Sequence, residues 1–106
     1  MASILNRYES IMSTNVCGMI EAAEDPLKMA RHLAHHLEDD LSRTRREGYA
    51  LIAEIEALED DRSLPNAEAL LTAKKAKLMR LHEIHERLED QVRQITEIRV
   101  RIYMAQ

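Results

Sequence analysis

The chain has 106 residues, which is enough for one domain, and its formal net charge at pH 7 is −4. It contains two glycines, two prolines, three tyrosines and neither tryptophan nor phenylalanine, while 32% of its residues are charged. A β fold would need more turn-forming residues, and a compact core normally uses large aromatic side chains. This composition therefore predicts an all-α protein built from long helices and coiled coils.

The composition and motifs also argue against several classes of function. No face of the chain is strongly basic and few aromatic side chains are available to stack on bases, so we expect no nucleic-acid partner. We find no Ser/His/Asp set and no glycine-rich phosphate loop, so we expect no enzyme activity and no cofactor. We expect no signal peptide and no membrane span, and we expect Cys17 to behave as a small apolar side chain in a reducing compartment.

Residues 1–24 are predicted to form an amphipathic helix, because their apolar residues fall within about half of a helical wheel. One interpretation is a helix that lies flat in a membrane surface; the other is a helix that packs on its own hairpin or on a neighbouring chain. Three acidic side chains against one basic side chain give no attraction to anionic lipid, so membrane binding would depend on apolar insertion. The residues predicted to contact lipid are Ile4, Leu5, Tyr8, Ile11, Met12, Val16, Met19 and Ile20.

Asp25 and Pro26 predict a helix joint, because Asp can cap free amides and Pro fits the first helical position. Residues 25–106 then show a sustained 3.5-residue apolar repeat, interrupted only by a turn near residues 61–66. A short turn makes two long helices antiparallel neighbours. The sequence therefore predicts an N-terminal amphipathic helix followed by a long antiparallel coiled-coil hairpin.

Charge patterns predict the register of this hairpin. With the turn centred near residues 64–65, Glu54 and Glu56 should lie near Lys74 and Lys75. The arginines at positions 43, 45 and 46 should lie near the glutamates at positions 83 and 86. Gly48 falls on the helix–helix seam, where we expect it to permit a closer approach of the two helices.

Three isoleucines lie beside the narrow seam of the hairpin: Ile52, Ile84 and Ile98. A two-helix hairpin would leave them as an exposed apolar ridge, which soluble monomers rarely show. The N-terminal helix or another copy of the chain must cover this ridge. We favour self-association through these three residues into an open, head-to-tail array.

The five histidines are candidates for metal binding: His32, His35, His36, His82 and His85. The antiparallel register keeps the two groups apart, so four ligands cannot meet within one chain. The spacing of His82 and His85 is also one residue short of the zinc-protease pattern. We therefore expect no metal site.

Two short segments carry a family resemblance. Residues 23–26 read AEDP, residues 36–41 read HLEDDL, and Lys28 and Met29 lie between them. This pattern resembles the N-terminal part of the phage shock protein A family, which includes the vesicle-inducing protein of plastids and is related to ESCRT-III. The resemblance is detailed over residues 1–45, and residues 4–20 match the family's amphipathic helix in position and length.

The resemblance implies a cytoplasmic protein at the periphery of the inner membrane. It would form homo-oligomeric scaffolds, insert its N-terminal helix into stressed membrane, and protect or remodel that membrane. Some family members instead bind and inhibit an AAA transcription activator through the hairpin, so a soluble regulatory hairpin is the alternative function. This hairpin is shorter than the family's by several turns in each arm.

Overall fold

The computed structural model describes residues 2–106. A 3-10 turn, Ile4–Arg7, precedes four α-helices: α1 Tyr8–Ser13, α2 Val16–Glu21, α3 Pro26–Asp60 and α4 Ala67–Ala105. Helices α3 and α4 lie side by side in opposite directions, and no strand occurs in residues 2–106. The molecule is a rod of 64 × 21 × 19 Å. The predicted all-α fold with a long helical hairpin is confirmed.

A side-chain cap and a proline explain where α3 begins. The Oδ1 atom of Asp25 accepts a hydrogen bond of 3.1 Å from the backbone N–H of Lys28, and Pro26 is the first residue of α3. Residues 61–66 connect α3 to α4. Within this connection Asp61 accepts a hydrogen bond of 3.1 Å from the N–H of Ser63. The hairpin turn is thus fixed by a side chain that satisfies a backbone amide.

The N-terminal segment, which we define as residues 2–22, differs from the single helix that the sequence predicts. It is divided into the 3-10 turn, α1 and α2, and Thr14 between the two α-helices has extended backbone (φ −67°, ψ 131°). Ser3 contacts Glu47 at the middle of α3, while Cys17 contacts Gln94 in the last third of α4. The segment therefore covers the half of the hairpin that is remote from the 61–66 connection.

The position of the N-terminal segment determines where the apolar core of the protein lies. A large apolar cluster lies where three layers meet, and a small one lies near the connection, where only α3 and α4 pack together. The small cluster consists of Ile55, Leu58 and Leu71. The large cluster consists of Ile4, Ile11, Val16, Ile20, Ala30, Leu33, Leu37, Leu41, Leu81, Ile84, Leu88 and Ile95.

The predicted register holds along the hairpin. Lys74 Nζ lies 3.0 Å from Glu54 Oε2, which confirms that pairing. In the middle of the hairpin, Arg45 and Glu83 line the same groove between α3 and α4. The polar partners of the two glutamates are other side chains, however, because Glu83 accepts a hydrogen bond from Tyr8 and Glu86 pairs with His82.

The prediction for Gly48 is wrong. A Cβ atom placed on Gly48 would meet no atom within 4 Å, so the missing side chain does not permit a tighter packing of α3 on α4. Gly48 instead lines an open groove, described below.

Candidate functional site

The apolar face of the N-terminal segment is buried against its own hairpin. Ile4, Ile11, Val16 and Ile20 are at most 3% exposed and belong to the large core cluster. These four are half of the residues predicted to contact lipid. Leu5 and Tyr8 are partly buried against the same cluster, Met12 is half-buried and Met19 is 43% exposed. In this docked state the face predicted for lipid serves as the third layer of the core.

Carboxylates of α3 hold the beginning of the segment. Glu47 accepts hydrogen bonds from the Ser3 hydroxyl and, at 2.9 Å, from the backbone N–H of Ile4. Arg7 Nη1 donates to Asp40 Oδ1 at 2.7 Å, and Asp40 is only 4% exposed. His36 Nε2 lies 3.1 Å from Arg7 Nη2 and 3.6 Å from the other oxygen of Asp40. The turn is thus anchored by one charged pair and by an acceptor for a free backbone amide.

Two side chains of α4 hold the start of α1. The Tyr8 hydroxyl donates a hydrogen bond to Glu83, and the guanidinium carbon of Arg80 lies 5.0 Å from the centre of the Tyr8 ring. A cation over an aromatic face is attracted by the negative charge of that face. The hydrogen bond to Glu83, helped by burial, raises the pKa of Tyr8 above its ordinary value.

The break between α1 and α2 has its own partners. Gln91, which is 1% exposed, donates from Nε2 to the carbonyl of Ile11 at 3.1 Å and to that of Thr14 at 3.4 Å. Arg87 Nη2 donates to the Thr14 carbonyl at 3.0 Å. Asn15 caps α2 by accepting a hydrogen bond of 3.0 Å from the N–H of Gly18. Carbonyls that lose helical partners at the break are therefore satisfied by α4.

The residues of these contacts were not singled out by the sequence pattern. Asp40 follows two other acidic residues in the sequence, and nothing in that run indicates that its side chain is buried. One signal for Gln91 was present, because it lies three residues after Leu88 and four before Ile95, as a core position of a heptad does. A polar side chain at such a position indicates a specific buried partner.

The three isoleucines predicted to form an exposed ridge do not share one environment. Ile84 is completely buried in the large cluster, and Ile98 is partly buried against it, whereas Ile52 is 39% exposed. In the docked state the N-terminal segment and α3 cover Ile84, which is one of the two covers that the sequence allows for the ridge. Self-association through the three isoleucines stays a prediction.

An apolar groove of about 670 Å³ lies between α3 and α4, beside the start of the N-terminal segment. Its lining includes Tyr49, Ile52 and Met79, whose exposures are 71%, 39% and 68%. At about 100° per residue, Tyr49 points nearly opposite to Glu47, which anchors the segment. The groove borders the docked segment at Glu83, which lines it and accepts the hydrogen bond from Tyr8, while Tyr49 lies on the side away from Glu47.

Three of the five histidines, at positions 36, 82 and 85, lie close to acidic side chains on their own helices. His82 Nε2 lies 3.0 Å from Glu86 Oε1, and His85 Nδ1 lies 3.1 Å from Glu89 Oε1. No three side chains that could ligate a metal converge within residues 2–106. None of the helices in that range has the length and apolar character needed to cross a bilayer.

Part of this chain is similar in sequence to a known protein. The Phage shock protein A homolog of Bacillus subtilis (strain 168) is 35% identical to this chain over 52 residues. The chain is similar to phage shock protein A. This finding confirms the resemblance predicted from the sequence, over 49% of the chain, while the match spans only 23% of the relative's length. No family model matches the chain, and no solved structure matches it.

The tyrosines provide a test of the docked geometry by pH titration. Arg31 donates a hydrogen bond of 2.9 Å to the Tyr103 hydroxyl, which lowers the pKa of Tyr103, whereas the pKa of Tyr8 is raised. We expect tyrosinate absorbance to show Tyr103 titrating at a lower pH than Tyr8. Tyr8→Phe should remove absorbance change at high pH, and Tyr103→Phe should remove it at lower pH.

The same titration has a consequence for stability. Because the folded pKa of Tyr8 lies above the unfolded value of about 10, its contribution to docking is present below that pH. It is lost as the pH rises through the raised pKa, since the phenolate cannot donate to Glu83. A Tyr8→Phe variant whose high-pH titration equals that of the wild type would contradict the docked contact.

Proposed function

We propose that this chain is a peripheral membrane-binding, self-assembling scaffold that acts in membrane stress protection or remodelling, at the cytoplasmic face of an inner membrane. The observation that carries the proposal is the amphipathic N-terminal segment, joined to a helical hairpin in a chain similar to a phage shock protein A homolog. The helical fold and this relative favour a binding protein over an enzyme.

Lipid contact is proposed for the eight apolar residues of the segment named above. Four of them are core residues in the docked state, so lipid binding requires the segment to leave the hairpin. The joint of residues 22–25 is exposed or half-exposed, so the segment could swing away without disturbing α3. The segment has few basic side chains, and its binding would follow buried apolar area and lipid-packing defects rather than anionic charge.

Self-association is proposed through the exposed apolar residues that remain in the docked state. Ile52 lies beside Tyr49 and Met79, and together they give the groove an apolar rim. Contact between this rim and another copy would bury it, and a repeated contact of that kind extends an array. Ile84 and Ile98 could join such an interface only after the segment has left.

Vesicle flotation tests the membrane proposal. We expect the wild type to float with vesicles of unsaturated phosphatidylcholine, and the double variant Ile4→Asp/Tyr8→Asp to lose most of this binding. Two carboxylates would then lie in the face that enters the apolar layer, where burial of an unpaired charge is costly. Both substitutions also weaken docking, so tighter docking cannot explain the loss.

A matched control keeps the added charge but moves it to the exposed side. Asn6 and Ser10 are exposed residues of the same segment, so Asn6→Asp/Ser10→Asp adds the same two charges outside the apolar face. It should float nearly as the wild type does. Equal flotation of wild type and Ile4→Asp/Tyr8→Asp would exclude insertion of the segment.

The second candidate function is a soluble regulatory hairpin that binds and inhibits a protein partner, such as an AAA-type activator. The apolar groove favours it, because Tyr49 and Met79 are exposed together on a face that the N-terminal segment leaves free. Under this function the wild type would never float. Substitution of Tyr49 would then abolish partner binding without changing the fold.

A further inference from the structure

We infer that the docked N-terminal segment is autoinhibitory: the hairpin holds the segment's lipid-binding face in its core, through contacts that recognise a conformation the membrane-bound segment cannot keep. This inference rests on the membrane function proposed above and concerns the regulation of that site. It makes docking and lipid binding mutually exclusive states of the same residues.

The apolar contacts show why docking and lipid binding exclude each other. Ile4, Ile11, Val16 and Ile20 are at most 3% exposed, so none of them can contact lipid until the segment leaves the hairpin. Only the undocked fraction of molecules is competent to bind vesicles. The apparent affinity for lipid is lowered by that fraction, and any change that weakens docking raises it.

The backbone hydrogen bonds show that the two states need different conformations. In a continuous α-helix the Thr14 carbonyl would accept from the N–H of Gly18. In the docked state that N–H donates to Asn15 Oδ1 instead, while Gln91 and Arg87 donate to Thr14. The hairpin therefore supplies donors for the carbonyls that the break between α1 and α2 sets free.

A bilayer favours the continuous helix over the broken one. The apolar layer of a bilayer offers no partners to free backbone carbonyls, so a segment inserted there must satisfy its hydrogen bonds internally. A continuous amphipathic helix does so, whereas a helix broken at Thr14 does not. Gln91, which is 1% exposed, thus stabilises the conformation that is least suited to lipid.

A covalent lock tests the inference. Cys17 is the only cysteine, and its Sγ atom lies 3.5 Å from Gln94 Oε1, so Gln94→Cys places a second thiol beside it. Oxidation to a disulfide between Cys17 and the introduced cysteine, verified by mass and by the absence of dimers, fixes α2 to α4. We expect the oxidised protein to float at least about tenfold less than the same protein after reduction.

Two controls accompany the lock. Cys17→Ser combined with Gln94→Cys cannot close the bond, so oxidation should leave its flotation unchanged. A release variant, Glu47→Ala/Gln91→Leu, removes polar docking contacts but leaves every residue proposed to bind lipid unsubstituted. Loss of these hydrogen bonds should raise the labelling rate of Cys17 by about tenfold and increase flotation at a fixed lipid concentration. Circular dichroism checks that α3 and α4 stay helical.

The outcomes separate this inference from the proposed function. If the oxidised lock floats as well as the reduced form, or if the release variant labels faster but floats no better than a wild type that does float, autoinhibition is wrong while membrane binding stands. If neither wild type, reduced protein nor release variant floats, the membrane function fails and takes the inference with it.

Discussion

Ile84→Asp is expected to lower the free energy of unfolding by at least about 4 kcal/mol, because it places a carboxylate at a completely buried core position. The Ile84 side chain lies in the large cluster among apolar residues of the segment and of both long helices, so the carboxylate would be buried in an apolar environment. The sequence alone predicts a milder result, the release of smaller assemblies with the hairpin seam intact. Urea unfolding followed by far-ultraviolet circular dichroism measures the difference.

Ile52→Asp is the matched control, because it makes the same chemical change at a side chain that is 39% exposed. Its effect on unfolding should stay within about 1 kcal/mol, since the carboxylate remains in contact with water. If self-association uses the groove rim, Ile52→Asp should reduce the scattering mass at a concentration where the wild type associates. An Ile84→Asp protein as stable as the Ile52→Asp protein would contradict the core described above.

The long hairpin could be predicted because its signals are local and repeated. The apolar repeat of α3 and α4, the Asp25–Pro26 joint and the polar residues of the connection each act within a few residues. Such signals can be recognised in the sequence without knowledge of tertiary contacts. The Lys74–Glu54 pair could also be predicted, because a tight turn fixes which positions lie opposite each other nearby.

The docking of the N-terminal segment could not be predicted in the same way. An apolar helical face can pack equally well on lipid, on a partner chain or on the chain's own hairpin. The periodicity of the sequence therefore does not show which of these surfaces buries it. The break at Thr14 depends on donors from Gln91 and Arg87, which lie far along the chain. Burial of Ile84 and the hydrogen bond from Tyr8 to Glu83 follow from that same long-range contact.

The Arg7–Asp40 pair carries the second large prediction. Arg7→Ala should lower the free energy of unfolding by about 2 kcal/mol, because it leaves the carboxylate of Asp40 buried without its charged donor. The Asp40 side chain is 5% exposed and that of Arg7 is 37% exposed, so water reaches the guanidinium more readily than the carboxylate. Faster labelling of Cys17 should accompany the loss, since the pair holds the segment in its docked position.

A double-mutant cycle shows whether the buried charge is the cause. Asn at position 40 needs no counter-charge, so in the Asp40→Asn background Arg7→Ala should cost only about 0.5 kcal/mol, which gives a coupling of roughly 1–2 kcal/mol. If the two single costs simply add, to within about 0.5 kcal/mol, the pair is an incidental surface contact. Docking would then be held by apolar burial and by the contacts of Glu47 and Gln91. With strong coupling, the charged pair adds to the apolar and polar contacts that hold the segment, and a substitution at Arg7 should raise lipid binding as the release variant does.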